Sequence, residues 1–400
     1  MKKVHSSLAY LPQEEILDVK EKEGELLIGI PKEEADQEDR IPLTPQAVDL
    51  LVNNGHKVII QHNAGIGAYF SNNDYAEAGA QIAMDKKAVF KSEIIIKAGA
   101  IQEEEVELMR SGQTILSPLQ LPNLKGRLLE KMMRKRITAL SFEHLKDASD
   151  SYPIVHSMSE IAGSASMLIA GQYLSGSALG KGILLGGISG IPPTKVVIIG
   201  AGTVGEYAAR TALAFGSSVK VFDNNIYMLK ELQNNVGLHL YTSVINPHIL
   251  SKELSEADVA IGALSTQSDR VPVVVSEDMV CNMKEGAIIL DASIDRGGCF
   301  ETSEPTTLQH PVYTKYGVTH YCVPNIASGY ARTASEAISN VLTPMLLQAA
   351  DDGGLAYQIW KKAGVRNGIY LYNGALTNYY LSQLFHLKFT DLELLKAAKE

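Results

Sequence analysis

Val196-Val197-Ile198-Ile199-Gly200-Ala201-Gly202-Thr203-Val204-Gly205 is the stretch of this chain that decides its fold. Four apolar, β-branched residues read as a buried strand. The G-x-G-x-x-G that follows opens a helical pattern running from Glu206 to Ala214. Strand, glycine turn and helix in that order begin a dinucleotide-binding sheet. Gly200 permits the tight turn, Gly202 lets the backbone approach a pyrophosphate, and Gly205 lets helix and strand pack closely. Thr203 and Val204, in the first helical turn, offer free N–H groups at the positive end of the helix dipole. The next strand, Val219–Phe222, ends on Asp223, 23 residues after Gly200, where a carboxylate accepts bonds from the adenosine ribose hydroxyls. Asn224, Asn225 and Ile226 bring no cation for a 2′-phosphate, so NAD is predicted rather than NADP.

Downstream, strands are expected at Leu238–Tyr241, Val259–Ala263, Ala287–Asp291 and Thr319–Val323, giving six with the two above, enough for a complete dinucleotide sheet. Upstream lies a separate βα series, with strands at Leu26–Ile30, Lys57–Gln61, Glu93–Lys97, Thr114–Ser117 and Thr138–Phe142. Thr44-Pro45 caps a helix between the first two, and Gly55 stops it. Ser157 and Glu160 read as a capping box for a long helix rich in small residues, Ala162, Gly163 and Ala165 among them, a composition suited to close packing. From about Thr333 the chain is helical again. The fold class is α/β, with mostly parallel, doubly wound sheets.

A chain of 400 residues suggests two domains, and 46% hydrophobic with 20% charged residues is globular. A net charge of −9 with no basic run speaks against nucleic acid. The three cysteines, Cys281, Cys299 and Cys322, form no CxxC, so neither a disulfide framework nor a metal site is expected. Residues 1–24 are charged and lack a signal-peptide core. No apolar run reaches the roughly 18 residues of a membrane span. A cytoplasmic protein with no membrane partner is expected.

With these residues placed, the chain resembles the alanine dehydrogenase and pyridine-nucleotide transhydrogenase family from about Leu27 to Tyr380. The matching motifs are Ile28–Glu33, Asp39–Pro45, His62–Gly67, Met158–Gly163, Gly186–Pro192, Gly200–Gly205, Asp291–Glu301 and Tyr321–Asn325. The resemblance implies two Rossmann-like domains, the NAD(H)-binding one, residues 154–331, being inserted into a discontinuous catalytic domain. That domain would comprise residues 1–153 and 332–400, with residues 1–24 an N-terminal extension. The cleft between the domains would hold the active site. Asp295 is similar to the alanine dehydrogenase branch, the transhydrogenase branch carrying Gln there. The resemblance implies that Asp295 is catalytic and that Arg40 holds the substrate carboxylate, a task suited to a planar, two-pronged guanidinium. It implies that Ser159, Asp223 and Asn325 join the Gly200–Gly205 loop as cofactor contacts.

Two positions depart from the family. Gly99 stands where it carries Lys, and Lys97 lies two residues earlier, about 7 Å along an extended chain. Gln120 stands where it carries a proton-transferring His; an amide orients substrate without titrating. Asp295, His144 or His156 could take over proton transfer. The reading is therefore an NAD-dependent dehydrogenase converting a small L-amino acid, L-alanine in the family, to its 2-oxo acid and ammonia. The alternatives are another amino-acid or opine-type substrate, or a catalytically weak NAD(H) sensor. A homo-oligomer is implied, a hexamer being one size the resemblance allows.

Overall fold

The computed structural model describes residues 24–33, 38–121, 124–176, 180–237, 240–265 and 270–397. The expected N-terminal extension lies outside the described residues apart from Gly24, as does Leu238.

The upstream series forms Leu27–Ile30 (β1), Lys57–Gln61 (β2), Gln81–Ala83 (β3), Ile94–Ile96 (β4), Thr114–Ser117 (β5) and Thr138–Ser141 (β6). These six strands run parallel in the order β6-β5-β4-β1-β2-β3. Lys195–Ile199 (β7), Ser218–Phe222 (β8), Tyr241–Ser243 (β9), Val259–Gly262 (β10), Ile288–Asp291 (β11), Val312–Lys315 (β12) and Val318–Tyr321 (β13) form the second sheet. Its order is β12-β13-β11-β10-β7-β8-β9, parallel except for β12. Ile369–Tyr372 (β14) and Ala375–Leu376 (β15) return to the first sheet, β14 pairing antiparallel with β6. Each sheet thus reverses its winding once, between β1 and β4 and between β7 and β10. Ligands of open α/β sheets bind outside the strand ends at such points.

The central strands are buried on both faces and read as near-continuous apolar runs, as in Ile94-Ile95-Ile96 and Val259–Gly262. Four strands escape the sequence reading: β3, β12, β14 and β15. Each lies at or next to a sheet edge and has at most four residues. The second sheet therefore has seven strands rather than the six expected.

The long helix Pro153–Leu174 begins four residues before the expected capping box, with Pro153 in its first turn. Ser157 is interior and its hydroxyl donates to the Pro153 carbonyl at 3.0 Å. The small residues of this helix do pack closely. A Cβ on Gly163 would stand 2.4 Å from the Val204 carbonyl oxygen and 2.8 Å from Tyr207 Cβ on the helix Thr203–Ala214. No helix among the described residues is long and apolar enough to cross a membrane. Among those residues no group of three or more His, Cys, Asp or Glu could hold a metal ion.

Candidate active site

β7 is followed by Gly200, whose φ of 118° is open to glycine alone without strain. A Cβ on Gly205 would stand 1.9 Å from the Gly200 carbonyl oxygen, so both glycines are required by the turn itself. Gly202 is different, with no protein atom within 4 Å of the Cβ it lacks; its outer face is open. No side chain caps the helix that starts at Thr203, leaving its first N–H groups for an anion. Asp223, past β8, accepts from Ala201 N at 2.8 Å and Asn225 N at 2.7 Å. Those bonds fix its carboxylate beside the loop, in a cleft lined also by Ile226, Leu264 and Val274. Open backbone donors, an uncapped helix start and a fixed carboxylate one strand away suit a dinucleotide's pyrophosphate and ribose.

Past β1, Arg40 is buried. Its Nε and Nη2 donate to the two Glu38 oxygens at 2.6 and 2.5 Å. Nη1 lies 3.5 Å from Met158 Sδ, so one edge of the guanidinium is committed to Glu38 and the end carrying Nη1 faces the long helix. Glu38 also meets the second sheet, with Asn325 Nδ2 3.5 Å and Ser328 Oγ 3.4 Å from its oxygens. Asn325, just past β13, has a left-handed φ of 56°, which Asn tolerates. The carboxyl edges of the two sheets therefore meet at Glu38. Ser159 follows Met158 on the long helix between them.

Lys97 does not replace the missing lysine at position 99. Its ammonium donates to Glu33 at 2.7 Å and Glu105 at 2.9 Å, and its side chain is 2% exposed. Glu33 also accepts from the backbone N–H groups of Ala98 and Gly99. A Cβ at Gly99 would lie 3.0 Å from Glu33 Oε2 and 3.3 Å from Glu38 Cγ, so position 99 abuts the Glu38–Arg40 pair.

Asp295 sits in a 3-10 turn after β11. The buried Asp291 shapes this loop, accepting from Ser293 N at 3.0 Å, Cys299 N at 2.9 Å and Ser303 Oγ at 2.7 Å. The Asp295 residue is exposed, yet partial loss of water around its carboxyl raises its pKa. The Glu143 charge adds to the rise and Arg296 opposes it. Gln120 follows β5 in a left-handed turn with φ 45°. Glu143 Oε2 braces that turn by accepting from Leu119 N at 2.9 Å.

The structure thus brings Arg40, Asn325 and the long helix together around Glu38, and sets Asp295 within electrostatic reach of Glu143 beside the Gln120 turn. Asp223 stands apart with the nucleotide loop. Of the sequence candidates His156 is the outlier, paired at 2.8 Å with Glu160 on the helix surface. The sequence reading assigned no site role to Glu33, Glu38 or Glu143. Glu33 and Glu143 are acids just past β1 and β6 at the edge where ligands bind, the one signal that marked them, whereas Glu38 lies eight residues beyond β1 and two before Arg40.

Comparison with known proteins finds that residues 29–162 match the alanine dehydrogenase/PNT N-terminal domain and residues 166–379 the C-terminal domain. An alanine dehydrogenase of Methanococcus maripaludis is 36% identical over 375 residues, covering 92% of this chain and 99% of that protein. An alanine dehydrogenase of Staphylococcus saprophyticus is 35% identical over 369 residues, with 92% and 99% coverage. A solved L-alanine dehydrogenase superposes with a TM-score of 0.84 at 34% identity, covering 90% of this chain and 99% of its own.

Proposed function

The chain belongs to the alanine dehydrogenase and pyridine-nucleotide transhydrogenase family, and on that premise we propose that it deaminates L-alanine reversibly to pyruvate and ammonia with NAD. The observation that supports this most directly is the meeting of both sheets' carboxyl edges at the Glu38–Arg40 pair. The Gly200–Gly205 loop and Asp223 hold the cofactor, Thr203 and Val204 through their N–H groups, with Ser159 and Asn325 as further contacts. Bound there, NAD supplies the hydride acceptor. The N–H groups of Arg40 not used by Glu38 bind the substrate carboxylate, and Gln120 orients the substrate through its amide. Asp295 faces the positive charge that develops on nitrogen as the Cα–H bond is lost. Purified protein assayed with a panel of amino acids and NAD, read as NADH absorbance, tests the reading. Turnover with alanine supports it; turnover only with another amino acid, or tight NADH binding with no turnover, overturns the substrate or the enzymatic reading respectively.

The same proposal divides the chain into a catalytic domain, residues 1–153 and 332–400, and an NAD(H) domain, residues 154–331; the return of β14 and β15 to the first sheet supports it. It places the protein in the cytoplasm as a homo-oligomer, with a hexamer one size that the family likeness allows. Leu168, Leu184 and Phe215 line an exposed apolar recess on the second domain, a surface such assembly would cover. Sedimentation as a monomer counts against the assembly.

A further inference from the structure

β5 and β6 run parallel with Ser117 opposite Ser141. Gln120 and His144 each follow three residues later, so they occupy equivalent places beyond neighbouring strands, at the edge where the cleft lies. Glu143 ties the two turns together, accepting from Leu119 N at 2.9 Å and from Ser141 Oγ at 3.4 Å. His144 Nδ1 is 2.9 Å from Ser141 Oγ. Nδ1 is engaged by Ser141 Oγ, and donation from Nδ1–H to that oxygen makes Nε2 the basic nitrogen of the ring. Of the cleft's other ionisable groups, Glu38 is held by Arg40, Glu33 by Lys97 and Glu143 by the two turns, which leaves Asp295 beside His144. Gln120 is an amide and cannot carry a proton at any working pH.

We propose that His144 is the acid–base catalytic residue of the dehydrogenase, working from β6 through Nε2. This rests on the dehydrogenase reading above. The substrate ammonium first gives up one proton to solvent, and oxidation leaves an iminium. Nε2 takes a proton from a water as its oxygen bonds to Cα, and returns that proton to the nitrogen. It then takes the hydroxyl proton as the C–N bond breaks, and ammonia carries that proton away as ammonium. Amino acid, NAD⁺ and water become 2-oxo acid, ammonium, NADH and one proton. Asp295 is left to stabilise the cationic nitrogen, a division of labour between two differently placed groups.

Burial pushes the His144 pKa below its ordinary value; Glu143 on the same turn opposes this and Arg296, beyond β11, reinforces it. Those two are the charged groups acting on the ring among the described residues, and the ring is neutral, ready as a base, at pH 7. Deamination kcat/KM should then fall on the acid side of the ordinary imidazole range.

The test uses the full chain and the amino acid that the panel identifies. His144→Gln is expected to lower kcat/KM by roughly 100-fold or more and to remove that acid limb, with NADH affinity by fluorescence titration unchanged. Adding Gln120→His to His144→Gln should restore activity at least about tenfold and bring back a limb, since the places are equivalent and histidine tolerates the left-handed backbone at 120. His144→Gln within about threefold of wild type, or a slower variant that keeps the same limb, overturns the inference while the dehydrogenase reading stands. A wild type inert on the whole panel overturns that reading first, and this one with it.

Discussion

Arg40 holds two relations at once. Its side chain is 7% exposed and that of Glu38 5%, so neither charge is stable there without the other. Arg40→Ala strands a buried carboxylate and should destabilise the fold by about 3–5 kcal/mol, while Glu38→Leu with Arg40→Met should cost far less. Urea melts of both variants check this; equal losses would mean that the stranded carboxylate is not what costs stability. Asp295 sets function against stability. Its folded pKa is raised, so below the unfolded value both states are protonated, and as pH climbs the folded state loses stability relative to the unfolded. Asp295→Asn should therefore melt higher than wild type at neutral pH, match it in acid, and turn over far more slowly with NADH affinity intact. A variant that melts lower at pH 7 contradicts the assigned environment. Asp223 stands out as a candidate in the sequence because it follows a β-rich run at the fingerprint's spacing, whereas Asp295 enters through family likeness and its place just past a strand. That Glu38 rather than Asp39 takes Arg40 is not legible there, since which neighbouring acid faces the guanidinium depends on the loop's path.

At the scale of elements, two contacts carry most of the site's alignment. The first is the crossing of Pro153–Leu174 over Thr203–Ala214 at Gly163. The obstacle to any side chain there is backbone, which cannot rotate aside. Gly163→Ala should cost about 1–3 kcal/mol and weaken NADH binding, because the displaced helix carries the phosphate loop at its start. Unchanged melting and unchanged NADH affinity would show that the helices can slide. The second is the buried Glu33–Lys97–Glu105 cluster, which joins the loop after β1 to β4 and the helix Glu103–Leu108. Burial penalises the Lys97 charge, but Glu33 and Glu105 outweigh it and raise its pKa; burial likewise penalises Glu105, and Lys97 with the Gln102 N–H outweighs it and lowers its pKa. The lysine's contribution is thus lost as pH rises past the ordinary lysine range, and that of Glu105 as pH falls below the ordinary carboxylate range. Lys97→Met should flatten stability across the acid range and lower it near neutrality by about 3–5 kcal/mol; a variant with the wild-type acid profile would place the pH dependence elsewhere. Long central strands and helices were legible because burial on both faces leaves apolar runs. The start of the long helix was misplaced because Ser157 and Glu160 imitate a cap that Pro153 had already made unnecessary. β14 and β15 were missed because such short antiparallel strands depend on the β6 edge for their partner.

Across the whole molecule the two sheets share one winding, and the chain crosses between them twice, through Pro153–Leu174 and through Ala331–Asp351. That symmetry of plan was visible in the βα rhythm of each half, whereas the return of the C-terminal strands to the first sheet entered the reading only through family likeness. The second sheet and its helices have their own cores, with Val196, Ile198, Ile261 and Leu290 on one side and Val197, Ile199, Ala260 and Ile289 on the other. The nucleotide loop, Asp223 and the uncapped helix all belong to this unit. Residues 154–331 expressed alone should therefore fold and bind NADH within about tenfold of the full chain, a difference of about 1.4 kcal/mol, because their sheet keeps both of its cores, while the contacts of Glu38 and Asp39 with Asn325 and Ser328 and of Arg40 with Met158 are lost. They should show no turnover, since Arg40, Gln120 and His144 lie in the other domain. The converse piece, residues 24–153, should not fold unaided: without β14 the edge of β6 is bare, and Tyr370, Leu371, Leu376 and Leu381 are stripped from the core they complete. Calorimetric NADH titration of the first fragment and the near-ultraviolet dichroism of the second check the pair. A cooperative, soluble residues 24–153 fragment would mean that the C-terminal strands decorate the first domain rather than complete it, and the division of the chain proposed above would fall.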